Sequence, residues 1–339
     1  MPQLDWFDRV PKVEIHVHLE GSIPHDALWT LVQQYGGPQA VPTLAALVER
    51  FTYRDFPHFI ATWGWKNSFL RTYADFTFVA EAVARDLARQ QIRYAEVFYS
   101  PPDFTAQGLQ TQPLTEAIRA GLDRVPAIEI ALVADLVRDY GPTQGAVTLA
   151  EVCEVQHLGV VGITIGGSEH KVPPEVFAPV FATARRKGLR TSAHAGEAAG
   201  AASVWGAVRA LQVDRIGHGT RALEDPALVA ELVARQIPVE LCPLSNLRTG
   251  VISRIEDHPA RHFFDQGMLL SVNTDDPQMF NNSLAEEYRL LETQLNFRRD
   301  EIRQLMLQSV TSAWLSDERK RQLALALQAD PGWGDGVTR

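Results

Sequence analysis

The chain has 339 residues, of which 45% are hydrophobic and 22% are charged, and its formal net charge is −9. These proportions are ordinary for a globular enzyme with a sizeable core. The acidic balance argues against a nucleic-acid backbone as the main partner, because lysine and arginine make the phosphate contacts in such complexes. We expect a small, nearly neutral ligand instead.

The sequence has no feature that indicates export or membrane insertion. Its apolar runs are far shorter than a bilayer span. Residues 1–6, MPQLDW, contain an acidic residue and a proline, unlike a signal peptide. The two cysteines, Cys153 and Cys242, are too few for a disulfide framework. We therefore expect a cytoplasmic protein without a membrane partner.

Eight short runs rich in β-branched or aromatic residues predict strands. They lie near residues 13–18, 94–100, 129–137, 159–165, 190–195, 214–218, 238–242 and 269–274. Stretches between them have the apolar spacing of helices, as in Asp75 to Gln91, Pro174 to Lys187 and Pro226 to Arg235. This repeat predicts an α/β protein of the (β/α)8 TIM-barrel class, whose active sites lie at the carboxyl ends of the strands. We predict one domain over residues 1–329 and a frayed tail over residues 330–339.

The connection between the first two predicted strands is unusually long. It has helical spacing from Pro24 to Gln34, followed by a very aromatic segment from Phe51 to Phe78. Its aromatic residues include Phe56, Phe59, Trp63, Trp65, Phe69 and Tyr73. Most of these side chains are expected to pack against the outer helices. We also predict that extra helices of this segment form a lid, which supplies apolar walls for a ring-shaped ligand.

The first predicted strand carries two histidines with one residue between them. Because strand side chains alternate, His16 and His18 lie on the same face, within reach of one metal ion. The pair alone is weak, since histidines at this spacing are often surface residues. His194, His218 and Asp275, however, each stand where a later predicted strand ends. Imidazoles with a carboxylate suit zinc better than magnesium or calcium.

Each of these residues also has a structural interpretation. The glycines beside His218 can mark a tight turn, and Asp275-Asp276-Pro277 can begin a helix. Their coincidence with strand ends favours a site. A single metal ion is favoured over a pair, because the fourth predicted strand ends in TIGGSE, residues 164–169, without a lysine to bridge two ions. A His-x-Glu followed by Pro-Cys-x-x-Cys, the zinc-site pattern of one class of deaminases, is absent.

Five motifs together resemble the adenosine deaminase family. They are HVHLEGS at 16–22, HAGE at 194–197, GHG at 217–219, CPLSN at 242–246 and NTDDP at 273–277. They occur in the family's order, within a likeness that runs from about Val10 to Lys320. The resemblance implies a zinc-dependent (β/α)8 barrel that replaces the 6-amino group of a purine with oxygen.

The resemblance also implies which residues carry the chemistry. One zinc ion per chain would be held by His16, His18, His194 and Asp275, and would lower the pKa of a bound water. Glu197 would be protonated and would donate to purine N1. His218 would orient the water and act as a base or as an electrostatic partner.

Further residues would contact the substrate, namely His18, Glu20, Gly167 and Asp276. The Asp276 side chain would hydrogen-bond N7 of the purine, and the backbone N–H of Gly167 would reach N3. Glu20 stands at a position that meets the 5′ end of the ribose in the family. A solvent-facing residue that caps the turn before Gly21 is the alternative for Glu20.

Two departures from the family's usual sequence leave the substrate open. Many adenosine deaminases have aspartates where Glu20, Thr164 and Ser168 stand here. The glutamate and the Gly-Gly pair after strand four are similar to relatives that act on adenine or on aminodeoxyfutalosine. Adenosine, with deoxyadenosine, is the leading substrate, and those two compounds are the alternatives. An inactive purine-binding barrel is a remote third, since no expected zinc ligand or acid is missing. The sequence does not indicate the oligomeric state.

Overall fold

Eight parallel strands form the centre of the protein. The computed structural model describes residues 5–36 and 41–334. The strands are β1 (Lys12–His18), β2 (Ile92–Tyr99), β3 (Glu129–Asp135), β4 (Val160–Thr164), β5 (Arg190–Ala195), β6 (Arg215–His218), β7 (Val239–Leu241) and β8 (Leu270–Val272). They pair in sequence order, each with the next. All eight predicted strands are confirmed, with ends that differ from the prediction by two residues at most.

Helices follow the strands and also fill the long first connection. They are α1 (Trp6–Arg9), α2 (His25–Gln34), α3 (Leu44–Glu49), α4 (Phe56–Asn67), α5 (Tyr73–Arg89), α6 (Thr111–Leu122), α7 (Gly141–Glu154), α8 (Ala178–Arg186), α9 (Ala201–Gly206), α10 (Pro226–Arg235), α11 (Pro243–Arg248), α12 (Ala260–Asp265), α13 (Pro277–Phe280), α14 (Leu284–Gln294), α15 (Arg299–Ser312) and α16 (Asp317–Ala329). Within the described ranges, no helix combines the length and the apolar character that a membrane span requires.

The sheet closes between its first and last strands. Val17 and Asp275 form a parallel bridge, and the His18 N–H donates to the Asp275 carbonyl oxygen at 2.9 Å. Nearer the start of β1, the Ile15 N–H donates to the side-chain oxygen of Asn273 at 2.9 Å. Backbone and side-chain hydrogen bonds thus join the seam. The predicted (β/α)8 barrel is confirmed, and the carboxyl ends of all its strands lie at one rim.

Strand β1 is buried on both of its faces, as expected for a barrel strand with helices outside it. Val13 and Ile15 belong to a hydrophobic cluster that also contains Leu323 of α16. Because side chains alternate along a strand, His16 and His18 point the other way, into the barrel. The predicted shared face of the two histidines is therefore present.

Helix α5 shows how the sequence specifies an outer helix. Thr72 and Asp75 form a capping box, which satisfies free N–H groups of the first turn. Apolar residues then recur at helical spacing and are fully buried, namely Phe76, Val79, Val83 and Leu87. The helix predicted from Asp75 to Gln91 is thus confirmed, with ends shifted by two residues.

The two ends of the chain are only partly described. Pro331–Trp333 forms a short 3-10 turn, and the Arg303 side chain donates to the Trp333 carbonyl oxygen. The rest of the predicted tail, residues 335–339, lies outside the described residues. Residues 1–4, part of the segment that we expect not to be a signal peptide, also lie outside them. The boundary of the single domain stays a prediction.

Candidate active site

A cavity of about 400 Å³ opens at the rim where the strands end. Its walls include residues at or just after the ends of β1, β3, β5 and β6, and after β8, namely His18, Asp135, His194, His218 and Asp275. This volume lies within the range of about 300–1,000 Å³ that is typical of small-molecule sites. The barrel rim thus holds a pocket in the place where such folds carry their chemistry.

Four predicted metal ligands meet at the bottom of this cavity. His16 Nε2 and His18 Nε2 each lie 3.3 Å from Asp275 Oδ1. His18 Nε2 and His194 Nε2 are 3.2 Å apart. One atom from each of the four side chains lies within 4.8 Å of the others, and all four residues are buried. The structure therefore brings together the set that the sequence predicts.

The chemistry of this cluster fits a zinc ion. His16 Nε2 is buried without a hydrogen-bond partner, and three imidazole nitrogens with one carboxylate oxygen are ligands that zinc accepts. Burial disfavours charge on His16, yet the adjacent carboxylates of Asp275 and Glu240 outweigh it and raise the pKa of His16 to about 9. The surroundings thus stabilise positive charge at the point where the ligand atoms converge.

A second layer of side chains holds the cluster in place. Glu240 of β7 accepts from His16 Nδ1 at 2.7 Å, which leaves Nε2 of that ring facing the other ligands. Arg215 of β6, itself buried, lies 2.5 Å from the Glu240 carboxylate. On the other side, the Ser245 hydroxyl donates to Asp275 Oδ2 at 2.7 Å. Arg215 and Glu240 were not predicted as site residues from the sequence, although charged residues within short predicted strands are a usable signal.

The backbone at two strand ends adopts a conformation that non-glycine residues seldom take. His218 has φ of 61° and Asp275 has φ of 66°. Such outliers are retained where the surroundings hold them, and they are frequent at functional sites. Gly217 adds a packing requirement, since a Cβ there would lie 2.9 Å from the His16 ring. The glycine beside His218 therefore reflects close approach to a ligand side chain.

Glu197 lies beside the metal cluster but is not part of it. Its Oε2 is 3.6 Å from His218 Nε2, and its carboxyl group borders the cavity. Burial raises the pKa of Glu197 well above its usual range, and the nearby charges of Asp275 and Glu169 raise it further. The raised pKa favours the protonated form of this carboxyl group, which can donate a hydrogen bond.

Glu169, which the sequence analysis did not select, shapes the loop that carries Glu197. Its carboxylate accepts from three backbone N–H groups, those of Gly196 at 2.6 Å, Glu197 at 3.1 Å and Ala199 at 2.9 Å. Glu169 is also buried. The only sequence signal for it is its place just after the fourth predicted strand.

Asp276 also borders the cavity, next to the ligand Asp275. Its Oδ1 is buried without a hydrogen-bond partner, so it is available to a bound molecule. Burial and the charge of Asp275 raise the pKa of Asp276 to about 7. A Cβ at Gly21 would lie 1.7 Å from Asp276 Oδ1. Gly21 of the HVHLEGS motif is thus required, because any side chain there would clash with the Asp276 carboxyl group.

Gly167 also lines the cavity. Its φ is 93°, and a Cβ there would lie 2.2 Å from Asp139 Oδ2, so only glycine fits. Within the part of the chain that the structure describes, the Gly167 N–H has no hydrogen-bond acceptor. The predicted donor is therefore present and unpaired.

Glu20 occupies a different place from the other predicted residues. It is only 1% exposed and is not among the residues that line the cavity. Its Oε1 accepts from the Ser100 N–H at 2.9 Å, and Lys66 donates to its backbone carbonyl oxygen at 2.6 Å. The solvent-facing alternative is thus wrong, because the carboxyl group is buried behind the cavity wall. Contact between Glu20 and a substrate stays a prediction.

Helix α4 supplies one wall of the cavity. Phe59, Ile60 and Trp63 of this helix line it, in agreement with the apolar walls predicted from the aromatic segment. Trp65 instead packs on Phe69, with ring centroids 5.3 Å apart. The side chain of Phe56 lies outside the described residues. The role of the segment as a lid stays a prediction.

A polar group at the α4 wall was also missed. Asp103 lines the cavity and accepts from Trp63 Nε1 at 3.0 Å and from the Tyr140 hydroxyl at 3.2 Å. Asn67 lies beside it, also in the cavity wall. Asp103 falls in a proline-rich turn after β2, where composition alone does not distinguish a solvent-facing carboxylate from a ligand-facing one.

The fold and the site together define a class of protein. A (β/α)8 barrel with three histidines and an aspartate converging at the carboxyl ends of its strands is a metal-dependent barrel hydrolase. Residues 11–329 match the model of a protein family described as adenosine deaminase. The chain therefore belongs to the adenosine deaminase family.

Individual relatives cover nearly the whole chain. An adenine deaminase of Chlorobium phaeobacteroides is 31% identical over 327 residues, which are 95% of this chain and 97% of the relative. An aminodeoxyfutalosine deaminase of Streptomyces avermitilis is 34% identical over 321 residues, which are 93% and 89% of the two chains. The crystal structure of an amidohydrolase from Burkholderia ambifaria, with bound Zn, has a TM-score of 0.87 and 28% identity over 95% of this chain and 90% of that one. The protein is thus a zinc-dependent purine deaminase of the amidohydrolase type.

Proposed function

We propose that the protein hydrolyses the 6-amino group of a purine nucleoside, with adenosine as its leading substrate and inosine and ammonia as products. The observation that carries this proposal is a polar part of the cavity wall formed by Asn67 and Asp103, in addition to the polar groups around the metal cluster. A free base needs donors and acceptors only around its ring, whereas a nucleoside also presents hydroxyl groups. Asp103 offers carboxylate oxygens that can accept from such hydroxyls.

The zinc ion belongs, in this proposal, to His16, His18, His194 and Asp275. When bound there it supplies a water of lowered pKa at neutral pH. The Glu240 carboxylate keeps the His16 ring in its orientation through Nδ1, as is common for metal-binding histidines. Ser245 does the same for Asp275 through Oδ2.

The purine is positioned by three groups of the cavity wall. The protonated carboxyl group of Glu197 donates to N1, Asp276 pairs with N7, and the free N–H of Gly167 reaches N3. His18, also in the wall, contacts the ring as well as the metal. Glu20 supports the ribose side indirectly, since it holds the backbone of Ser100, which lines the cavity.

The reaction then balances as a hydrolysis. Water oxygen adds to C6 while Glu197 gives its proton to N1, which makes C6 electrophilic. The C6–N bond breaks and C6 becomes a carbonyl carbon. One proton of the water leaves with the amino group as ammonia, and the other restores the protonated carboxyl group of Glu197. His218 orients the water, as a base or as an electrostatic partner.

A substrate panel tests this proposal. We expect adenosine and deoxyadenosine to lose absorbance near the adenine band with kcat/KM at least about tenfold above those of adenine and aminodeoxyfutalosine. For adenine the physical reason is that it leaves the polar groups around the ribose unpaired, which lowers its turnover. A preference for adenine or for aminodeoxyfutalosine would make that compound, and not adenosine, the assigned substrate. If none of the four compounds is turned over, the proposed deaminase function is overturned.

The variant Asp103→Asn, measured on the same substrates, tests whether Asp103 recognises the ribose. Its amide keeps the shape but loses the charge, so we expect adenosine turnover to fall while adenine turnover stays nearly unchanged. A hydrogen bond to a charged group contributes about 1.5–3 kcal/mol, which corresponds to a fall of roughly 10- to 150-fold. Equal losses for both substrates would remove Asp103 from ribose recognition.

Metal content gives a second prediction. We expect the purified protein to carry about one zinc ion per chain, since the four ligand atoms lie within 4.8 Å of one another and so converge on a single ion. His194→Ala should lose most of this zinc by elemental analysis. The matched control is His157→Ala, because His157 is exposed and stands apart from the cluster. Two metal ions per chain, or equal zinc in both variants, would contradict the single-ion site.

A further inference from the structure

A row of buried polar side chains lies behind the His218 ring, on the side away from the cavity. Asn246 Nδ2 is 3.1 Å from His218 Nδ1. The Asn246 side-chain oxygen is in turn 3.3 Å from His258 Nε2 and accepts from the Thr220 hydroxyl at 2.7 Å. All four residues are at most 5% exposed. Water therefore does not compete for these hydrogen bonds.

The direction of the hydrogen bonds can be read from one backbone group. The Ala260 N–H donates to His258 Nδ1 at 3.2 Å. A backbone N–H is only a donor, so His258 Nδ1 carries a lone pair, and the ring carries its proton on Nε2. Burial also lowers the pKa of His258 to about 3, which keeps the ring neutral at neutral pH. His258 is therefore a donor towards Asn246.

The orientation of the Asn246 amide follows from this donor. Its oxygen faces the His258 Nε2–H, because the opposite orientation would place an N–H against an N–H. The amide NH₂ then faces His218 Nδ1 and donates to it. A neutral His218 ring that accepts at Nδ1 carries its proton on Nε2, the atom that faces Glu197 and Asp275.

We propose that Asn246 and His258 are positioning residues that set the tautomer of His218, so that its Nε2 presents a proton to the reaction centre. In this tautomer Nε2 donates a hydrogen bond and does not take up a proton. This inference rests on the proposed function for the role of His218: of base and electrostatic partner, the structure assigns it the second. The water is then oriented by a donor that the row of side chains holds in place.

The tautomer itself is measured by nitrogen NMR of the zinc-loaded protein with ¹⁵N-labelled histidine, without substrate. The His218 signals are assigned by their loss in His218→Gln. We expect a protonated Nε2 and an unprotonated Nδ1 in the wild-type protein. A protonated Nδ1 with a bare Nε2 would overturn the inference, whatever the variants do.

Two variants test what holds the tautomer. His258→Phe removes the donor that orients Asn246, and the remaining Thr220 hydroxyl can act as donor or acceptor, so we expect a second tautomer to appear. Thr220→Val is the matched control: it removes the other donor to the same oxygen but leaves His258 in place. We expect this variant to keep the wild-type spectrum. If both variants keep it, or only Thr220→Val changes it, His258 is not the positioning residue.

Turnover is then compared with the spectra at constant zinc content. We expect kcat on adenosine to fall in proportion to the Nε2–H fraction, while KM changes by less than about twofold. A kcat that follows the Nδ1–H fraction, or is independent of both, would overturn the donor role. An Nε2–H spectrum with no turnover of any 6-aminopurine would instead refute the proposed function and leave the tautomer assignment intact.

Discussion

Glu197→Gln is expected to keep its zinc and to lose activity by about 10²- to 10⁴-fold in kcat, the usual contribution of general acid catalysis. Glutamine preserves the shape of the side chain and its hydrogen bond to N1, but it has no carboxyl proton to give to that nitrogen. Burial and the charges of Asp275 and Glu169 raise the pKa of Glu197 well above its usual range, which favours the form that carries this proton. The measurement is steady-state kinetics on adenosine, with zinc determined on the same sample.

The matched control for this variant is Glu256→Gln, since Glu256 is an exposed glutamate in a short turn away from the cavity. We expect its kcat to equal that of the wild-type protein. Turnover of Glu197→Gln within about threefold of the wild-type value, with zinc present, would remove Glu197 from the proton transfer. Loss of zinc would indicate instead that the substitution disturbs the metal cluster.

Arg215→Met is expected to lower the free energy of unfolding by about 3–5 kcal/mol, as is usual when one member of a buried ion pair is removed. The guanidinium group lies 2.6 Å from Glu96 and 2.5 Å from Glu240 at the barrel interior, and all three side chains are fully buried. The ring of Trp314 stacks on it, 3.7 Å from its central carbon. Methionine fills similar space but removes the guanidinium group that both carboxylates pair with. Urea denaturation measures the change.

Arg190→Met is the control for Arg215→Met. Arg190 also pairs with a carboxylate, Asp214 at 3.1 Å, but its side chain is 60% exposed. Exposed pairs contribute about 0–1 kcal/mol, so we expect only a small change in the free energy of unfolding. Similar losses in the two variants would mean that the buried charge network does not carry the stability that we assign to it.

The interior of this barrel explains why that network matters. Barrel interiors are usually filled by branched apolar side chains. Here the sites below the metal cluster include Glu96, Arg215 and Glu240, and Glu240 reaches His16 directly. The same charges thus contribute to the stability of the core and to the orientation of a metal ligand. A change at Arg215 is therefore expected to disturb the site as well as the fold.

Much of the fold could be predicted from the sequence, because its main elements depend on local patterns. The spacing of β-branched runs and amphipathic stretches placed all eight strands and helices such as α5 and α10 within a few residues. Strand alternation placed His16 and His18 on one face. The chemistry-bearing motifs stand at strand ends, and parallel strands in a closed barrel bring those ends to one rim.

Other features depend on which distant residues meet, and only the tertiary structure decided them. Glu20 follows a metal-ligand strand in the sequence, yet its carboxyl group is buried behind the cavity wall, on the backbone of Ser100. Asp103 and Glu169 look like ordinary loop carboxylates until the fold places one at the cavity and the other under Glu197. Local patterns report periodicity and propensity, which are properties of neighbouring residues. Hydrogen-bond partners 40 or 224 positions apart, as for Trp63 with Asp103 and His16 with Glu240, are set by how the elements pack.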